Sequence, residues 1–147
     1  MSPMILRFFT LVGIALAVAS MQLKARAEPL ADVEAQRVRA VVTAQLKAFS
    51  EDDAEAAFAT ATPSVRDALK KPERFIALVQ GNYPMVYRAA GFAFLPPQRE
   101  DGQVLQMVSI RDDEGKTWLA LFSLEQQPDM SWRIGGCIVA ENDWRSV

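Results

Sequence analysis

The hydrophobic pattern divides the chain into an apolar head, a helical half and a strand-rich half. From Leu30 to Phe49, apolar side chains recur at Val38, Val41, Val42, Leu46 and Phe49, the spacing of one helix face, with Gln45 a polar interruption in the stripe. Arg37, Arg39, Thr43 and Lys47 fall on the opposite side, so a long amphipathic helix is predicted. The pattern restarts in SEDDAEAAFATA. Ser50 is the expected N-cap there, with Asp53 in the place of a capping-box acid. Glu51, Asp52, Asp53 and Glu55 suit a helix start through the macrodipole, and Ala54, Ala57, Phe58 and Ala61 would face inward. TPSVRDALKK begins another helix, capped by Thr62 with Pro63 in its first turn. In KPERFIALVQGNYP, Pro72 opens a short helix, Phe75, Leu78 and Val79 pack, Gly81 ends it and Pro84 prevents continuation.

From Met85 on the pattern is that of strands. MVYRAAGFAFLPP is followed by QVLQMVSIRD, KTWLALFSLEQQ and SWRIGGCIVAEN, set apart by the turns REDG, DDEG and QPDM, which predicts an antiparallel meander. Trp118, Ala120, Phe122 and Leu124 share one strand face, and Leu119 and Leu121 take the other. Likewise Val104, Val108 and Ile110 oppose Leu105 and Met107. A half-exposed sheet would alternate apolar with polar, so both faces are expected to be covered. Helices can cover only one in a chain this short; the other is expected to be covered by a second copy of the chain, in a homodimer through the outer sheet face. A curved sheet with loops folded over it is the alternative. In SWRIGGCIV, strict alternation puts Trp132, Ile134, Gly136 and Ile138 on the helix side and Arg133, Gly135, Cys137 and Val139 on the other. A bulge at the paired glycines would swap the face of Cys137. Helices first and strands after give an α+β domain, its N-terminal helices packed on one face of a curved antiparallel sheet.

The head, MSPMILRFFTLVGIALAVASMQLKARA, has an early positive charge (Arg7), an apolar run from Phe8 to Ala19 and small residues at Ala25 and Ala27. These are the parts of a secretory signal peptide. A membrane span needs roughly 20 apolar residues, and the run is shorter; an uncleaved anchor, extended by Met21 and Leu23, is the other reading. Cleavage after Ala27 leaves a single domain, 28–147, of 120 residues, long enough for a core without staples. The product would be exported, periplasmic or secreted. Arg7, Lys24 and Arg26 leave with the head while all 18 acids stay, so the net charge falls from −2 to −5. That balance offers no footprint for nucleic acid, or for a membrane apart from the signal segment.

Candidate chemistry is narrowed by what the composition lacks. The chain has no histidine and one cysteine, Cys137. No Ser-His-Asp or Cys-His arrangement is available, and no intramolecular disulfide. DDAE and DDEG lack the alternating oxygen ligands of a calcium loop, so no metal or cofactor is expected. A thiol with no base beside it is expected to be inert packing, the nearest cation along its face being Arg133.

Four stretches, AQLKAFSEDDAEAAF, TPSVRD, PERFIALVQGNYPMVYR and TWLALFSLEQQPDMSWRIGGCIV, resemble in order the Domain of Unknown Function 4864 family. The resemblance runs from about Val33 to Val139 and is most specific in NYPMVYR and SWRIGGC. It implies a small exported bacterial protein and the cone-shaped, nuclear transport factor two-like (cystatin-like) fold, with a pocket between helices and sheet. It implies no activity. Met130 departs from the family where a turn glycine is common.

The polar residues that would reach such a pocket are Tyr83, Tyr87, Arg88, Gln106 and Arg133. An arginine beside tyrosines suits a small apolar or anionic ligand; alternatively the tyrosines anchor the entry to the sheet, with Arg88 on the surface. Glu125 and Glu141 lie at strand ends and Asp112, Asp113 and Glu114 in a turn, so no catalytic residue is assigned. Trp118 and Trp132 are expected in the core. The reading favoured is a non-catalytic small-ligand-binding or accessory module. The alternatives are a small isomerase or hydrolase with an Asp or Glu base, and a purely protein-partner or dimerisation domain.

Overall fold

The computed structural model describes residues 28–142. The expected signal segment lies outside the described residues. After a two-residue strand β1 (Glu28–Pro29) come five helices: α1 (Asp32–Ser50), α2 (Ala54–Ala59), α3 (Pro63–Leu69), α4 (Pro72–Asn82) and α5 (Pro84–Tyr87). Strands β2 (Gly91–Phe94), β3 (Gln98–Glu100), β4 (Gln103–Arg111), β5 (Thr117–Gln126) and β6 (Trp132–Glu141) follow. The predicted stripe of α1 is buried, with Val38 and Val42 fully so and Leu46 and Phe49 nearly so. Gln45 belongs to it: its amide nitrogen donates to Thr60 Oγ1 at 2.9 Å, which removes most of the cost of burying it.

Four local expectations are corrected. Ser50 does not cap α2; it stays helical and its hydroxyl donates back to the Lys47 carbonyl at 2.7 Å. The chain then turns through Asp52, at φ 55° in the left-handed region, and Asp53 is the cap, accepting from the Ala56 N–H at 3.1 Å. Gly81 does not end α4, which runs on to Asn82; Pro84 then opens the one-turn α5 instead of a strand. Strand structure therefore begins at Gly91, not Met85. Leu78 does not join the core and is 43% exposed, while Phe75 and Val79 are buried as expected. Thr62 and Pro63 do open α3, the Thr62 hydroxyl accepting from the Val65 N–H.

The six strands form one antiparallel sheet ordered β1-β3-β4-β5-β6, with β2 also on β4, and the helices pack on one face. This is the expected α+β architecture and is compatible with a cone. β2 and β3 share one edge of β4, broken at Leu95 to Pro97. Phe94 pairs with Val108 and Gln98 with Leu105, so this side holds one residue more than β4 does. Two prolines, which lack an N–H, sit in the break. The buried Gln106 side chain donates from β4 to the Leu95 carbonyl at 2.6 Å and to the Met107 carbonyl at 2.9 Å. The inner faces of β4 and β5 are as predicted: Val104, Val108, Ile110, Ala120, Phe122 and Leu124 are all fully buried. At about 1.5–3 kcal/mol for each large side chain removed from water, this row is the main source of cohesion between sheet and helices.

In β6 alternation fails. Leu124 pairs with Ile134 but Ser123 pairs with Gly136, so Gly135 is an extra residue on that strand. Side chains before the bulge keep the predicted faces, and Trp132 and Ile134 are buried. Beyond it the faces exchange. Cys137 stands opposite Phe122 and Val139 opposite Ala120, both packed on the core, while Ile138 points outward at 70% exposure. The expected placement of Ile138 inside and Cys137 and Val139 outside is thus reversed by one bulged glycine. Space at the neighbouring Gly136 is also tight: a Cβ there would lie 3.1 Å from Ser123 Oγ.

Candidate functional site

The bulge borders a cavity of about 230 Å³ between the sheet and the helices. Gln45 and Phe49 of α1 and Ala61 form its inner end, and Phe122, Ile134, Gly135, Gly136 and Cys137 form the sheet wall. Val65 and Leu69 of α3, with Phe75, Leu78 and Val79 of α4, close the helix side; Tyr83 and Val86 complete it. The partly exposed Leu78 and Tyr83 place the mouth beside α4. Local structure explains why these groups meet. The Thr62 N–H donates to the Ile134 carbonyl at 3.0 Å and the Ile134 N–H to the Thr60 carbonyl at 2.8 Å, a one-residue parallel bridge that pins Ala61 to β6 just before the bulge. Gly135 then redirects the strand and turns Cys137 inward.

The cavity wall carries no ionisable side chain except the Cys137 thiol and the Tyr83 phenol. Burial pushes the thiol up to about 12, so it is neutral at physiological pH. Cys137 is a free cysteine. Among the described residues no group of His, Cys, Asp and Glu side chains is arranged to hold a metal ion, and no helix is long and apolar enough to cross a membrane.

A family model matches residues 31–147, most of the chain. The chain belongs to the family described as a domain of unknown function (DUF4864). No curated protein and no solved structure matches it. In this DUF4864 domain, of the five residues expected to reach a ligand, Tyr83, Tyr87, Arg88, Gln106 and Arg133, Tyr83 alone lines the cavity. Tyr87 and Arg88 are brought together, but around Asp52. The Tyr87 hydroxyl donates to Asp52 Oδ1, and Arg88 donates to both Asp52 oxygens at 2.8 and 2.9 Å and to the Ser50 carbonyl at 2.7 Å. The guanidinium also sits 5.0 Å over the Tyr87 ring. The hydrogen bonds from Tyr87 and Arg88 hold the Asp52 carboxyl below its ordinary range, and the same Asp52 contact raises the Tyr87 phenol. This clasp ties the α1–α2 corner to α5. Arg133 lies on β6 away from both groups and donates to the Trp132 carbonyl at 3.1 Å, and Gln106 is engaged inside the sheet.

The residues that sequence reasoning did not place in the site are Gln45, Ala61 and the β6 glycines. Their signals were present in the polar break of the α1 stripe and in the adjacent Gly135 and Gly136, where a close backbone approach or a bulge is the ordinary reason for glycine in a strand.

Proposed function

We propose that this domain is an exported, non-catalytic module that binds a small apolar molecule in the cavity beneath the β6 bulge. The observation that carries this reading is the lining: apolar side chains from α1, α3, α4, β5 and β6 around about 230 Å³, with Gln45, Tyr83 and Cys137 as the few polar groups. Ligand sites have this composition, though most are larger. A cavity of about 150 Å³ lined by apolar residues already holds benzene, so the space suits a molecule of about ten non-hydrogen atoms. The lining offers no carboxylate to act as an acid or base, which favours binding over the isomerase or hydrolase reading. Arg88 is committed to Asp52, which favours an apolar ligand over an anionic one. The test is a titration with indene, followed by amide NMR shifts. Shifts concentrated at Gly135, Gly136 and Val79 support the reading; no shift up to the solubility of the probe refutes it. Export rests on the apolar head, and N-terminal sequencing of the protein from cells should read from Glu28.

A second reading is favoured by Ile138. Turned outward by the bulge, it lies on the sheet face that also carries Leu105, Met107, Leu119 and Leu121, all only partly covered. Four strand widths of about 4.8 Å and roughly nine residues of 3.4 Å rise give a footprint of about 600 Å². Side-chain relief brings this near the roughly 800 Å² per partner of a standard interface. Glu125 and Arg133 at one end give both charges to the rim, as a two-fold contact between copies requires. Sedimentation velocity at micromolar concentration should show a dimer that Ile138→Lys converts to monomer; a monomeric parent protein refutes it.

A further inference from the structure

Gln45 holds a polar atom that the fold leaves unused. The side chain is 3% exposed and forms part of the cavity wall. Its orientation is fixed by Thr60. The Thr60 hydroxyl proton goes to the Ala57 carbonyl at 2.7 Å, so its oxygen is left as an acceptor, and only the nitrogen end of Gln45 fits the 2.9 Å contact. The amide oxygen Oε1 is therefore turned away from Thr60, and no group among the described residues donates to it. Oε1 is not one of the fully enclosed unpaired side-chain atoms of the described residues; it keeps a small accessible surface, and the open space beside Gln45 is the apolar cavity.

The rest of the wall narrows the partner. The cavity lining presents no charged group at neutral pH, and a charged ligand would be buried there without a counter-charge. We infer that the ligand is a neutral, mostly apolar molecule of about ten non-hydrogen atoms carrying one O–H or N–H donor, and that Gln45 Oε1 accepts its hydrogen bond. Alcohols, phenols and indole-like heterocycles share this chemistry. The inference rests on the binding reading above and adds the polarity of the ligand to it.

The experiment compares two probes of the same shape: indole, with one N–H donor, and indene, with none. In a site with no acceptor, stripping water from the N–H makes indole the weaker ligand. With Gln45 Oε1 accepting the N–H hydrogen bond, indole should bind the wild-type protein about fivefold more tightly than indene. Gln45→Met should reverse that order, whatever it does to the absolute affinity of either probe. Amide shifts at Gly136 and Val79 report both titrations. If wild-type protein binds indene as tightly as indole or more so, the donor inference is overturned and the cavity reading stands. If neither probe shifts these amides, both fall. The wild-type ratio alone decides the point if Gln45→Met does not fold.

Discussion

Cys137 offers a quantitative test of the bulge. Had alternation held, its side chain would lie on the outer face of the sheet, open to reagents. The Gly135 bulge turns it to the cavity wall, where burial pushes its pKa from the ordinary 9.0 to about 12. Only the thiolate attacks a disulfide reagent. At pH 7.5 the thiolate fraction drops from about 3% to about 0.003%, so native protein should react with an aromatic disulfide about a thousandfold more slowly than urea-unfolded protein. The same shift has a consequence for stability. The folded value lies above the unfolded one, so the contribution is complete below pH 9 and is lost as pH rises towards 12. At pH 10 the unfolded chain is mostly thiolate and the folded chain is not, which costs the fold about 1.4 kcal/mol by linkage. Urea unfolding at pH 8 and pH 10 should show that extra alkaline loss in the parent protein and not in Cys137→Ala. Native labelling within tenfold of the unfolded rate, or equal alkaline loss in both proteins, refutes the inward placement.

Other consequences follow from the same contacts. Ala61→Leu projects three further carbons into the cavity from a backbone pinned to Ile134; at about 0.8 kcal/mol per buried carbon it should stabilise the fold by up to about 2 kcal/mol in urea titration and abolish indene binding. Phe122→Ala, at a fully buried position in the cavity wall, should cost about 3–5 kcal/mol in the same assay. Asp52 titrates below its ordinary 3.8, so the clasp with Tyr87 and Arg88 is complete above that pH and is lost as pH falls through the lower folded value. Asp52→Asn keeps a side chain that tolerates the left-handed backbone at φ 55° and should flatten the acid limb of stability below pH 4 relative to the parent.

Where chain order and alternation agree, the sequence was legible. The inner rows of β4 and β5 could be read directly, because every inward side chain but Gln106 is apolar and the pairing runs without interruption from Arg111–Thr117 to Val104–Leu124. β6 could not be read that way. Gly135 and Gly136 fit either a straight strand or a bulged one, and it is the pairing with Ser123 and Leu124 that chooses, carrying Cys137 and Ile138 to opposite faces. The second cap was displaced by three residues for a similar reason. Ser50 and Asp53 are both good caps, and Asp52, whose carboxylate is held by Tyr87 and Arg88 from 35 and 36 residues away, sits at the left-handed turn between them. Met130 takes φ 71° at the turn where a glycine is common, so the departure marked in the sequence changes the residue and keeps the backbone. The cavity was the least legible feature. Its wall draws on residues from Gln45 to Cys137, and no local spacing brings Ala61, Val79 and Gly136 together. Tyr87 and Arg88 were visible as a polar pair, but their partner was not.

The most direct test is a crystal of the protein pressurised with xenon, an apolar atom that enters dry cavities and scatters strongly. An anomalous peak between Phe122, Val79 and Cys137 is the result predicted for an apolar cavity under the Gly135 bulge. A cavity filled by side chains or ordered water, with no peak at that place, would contradict it.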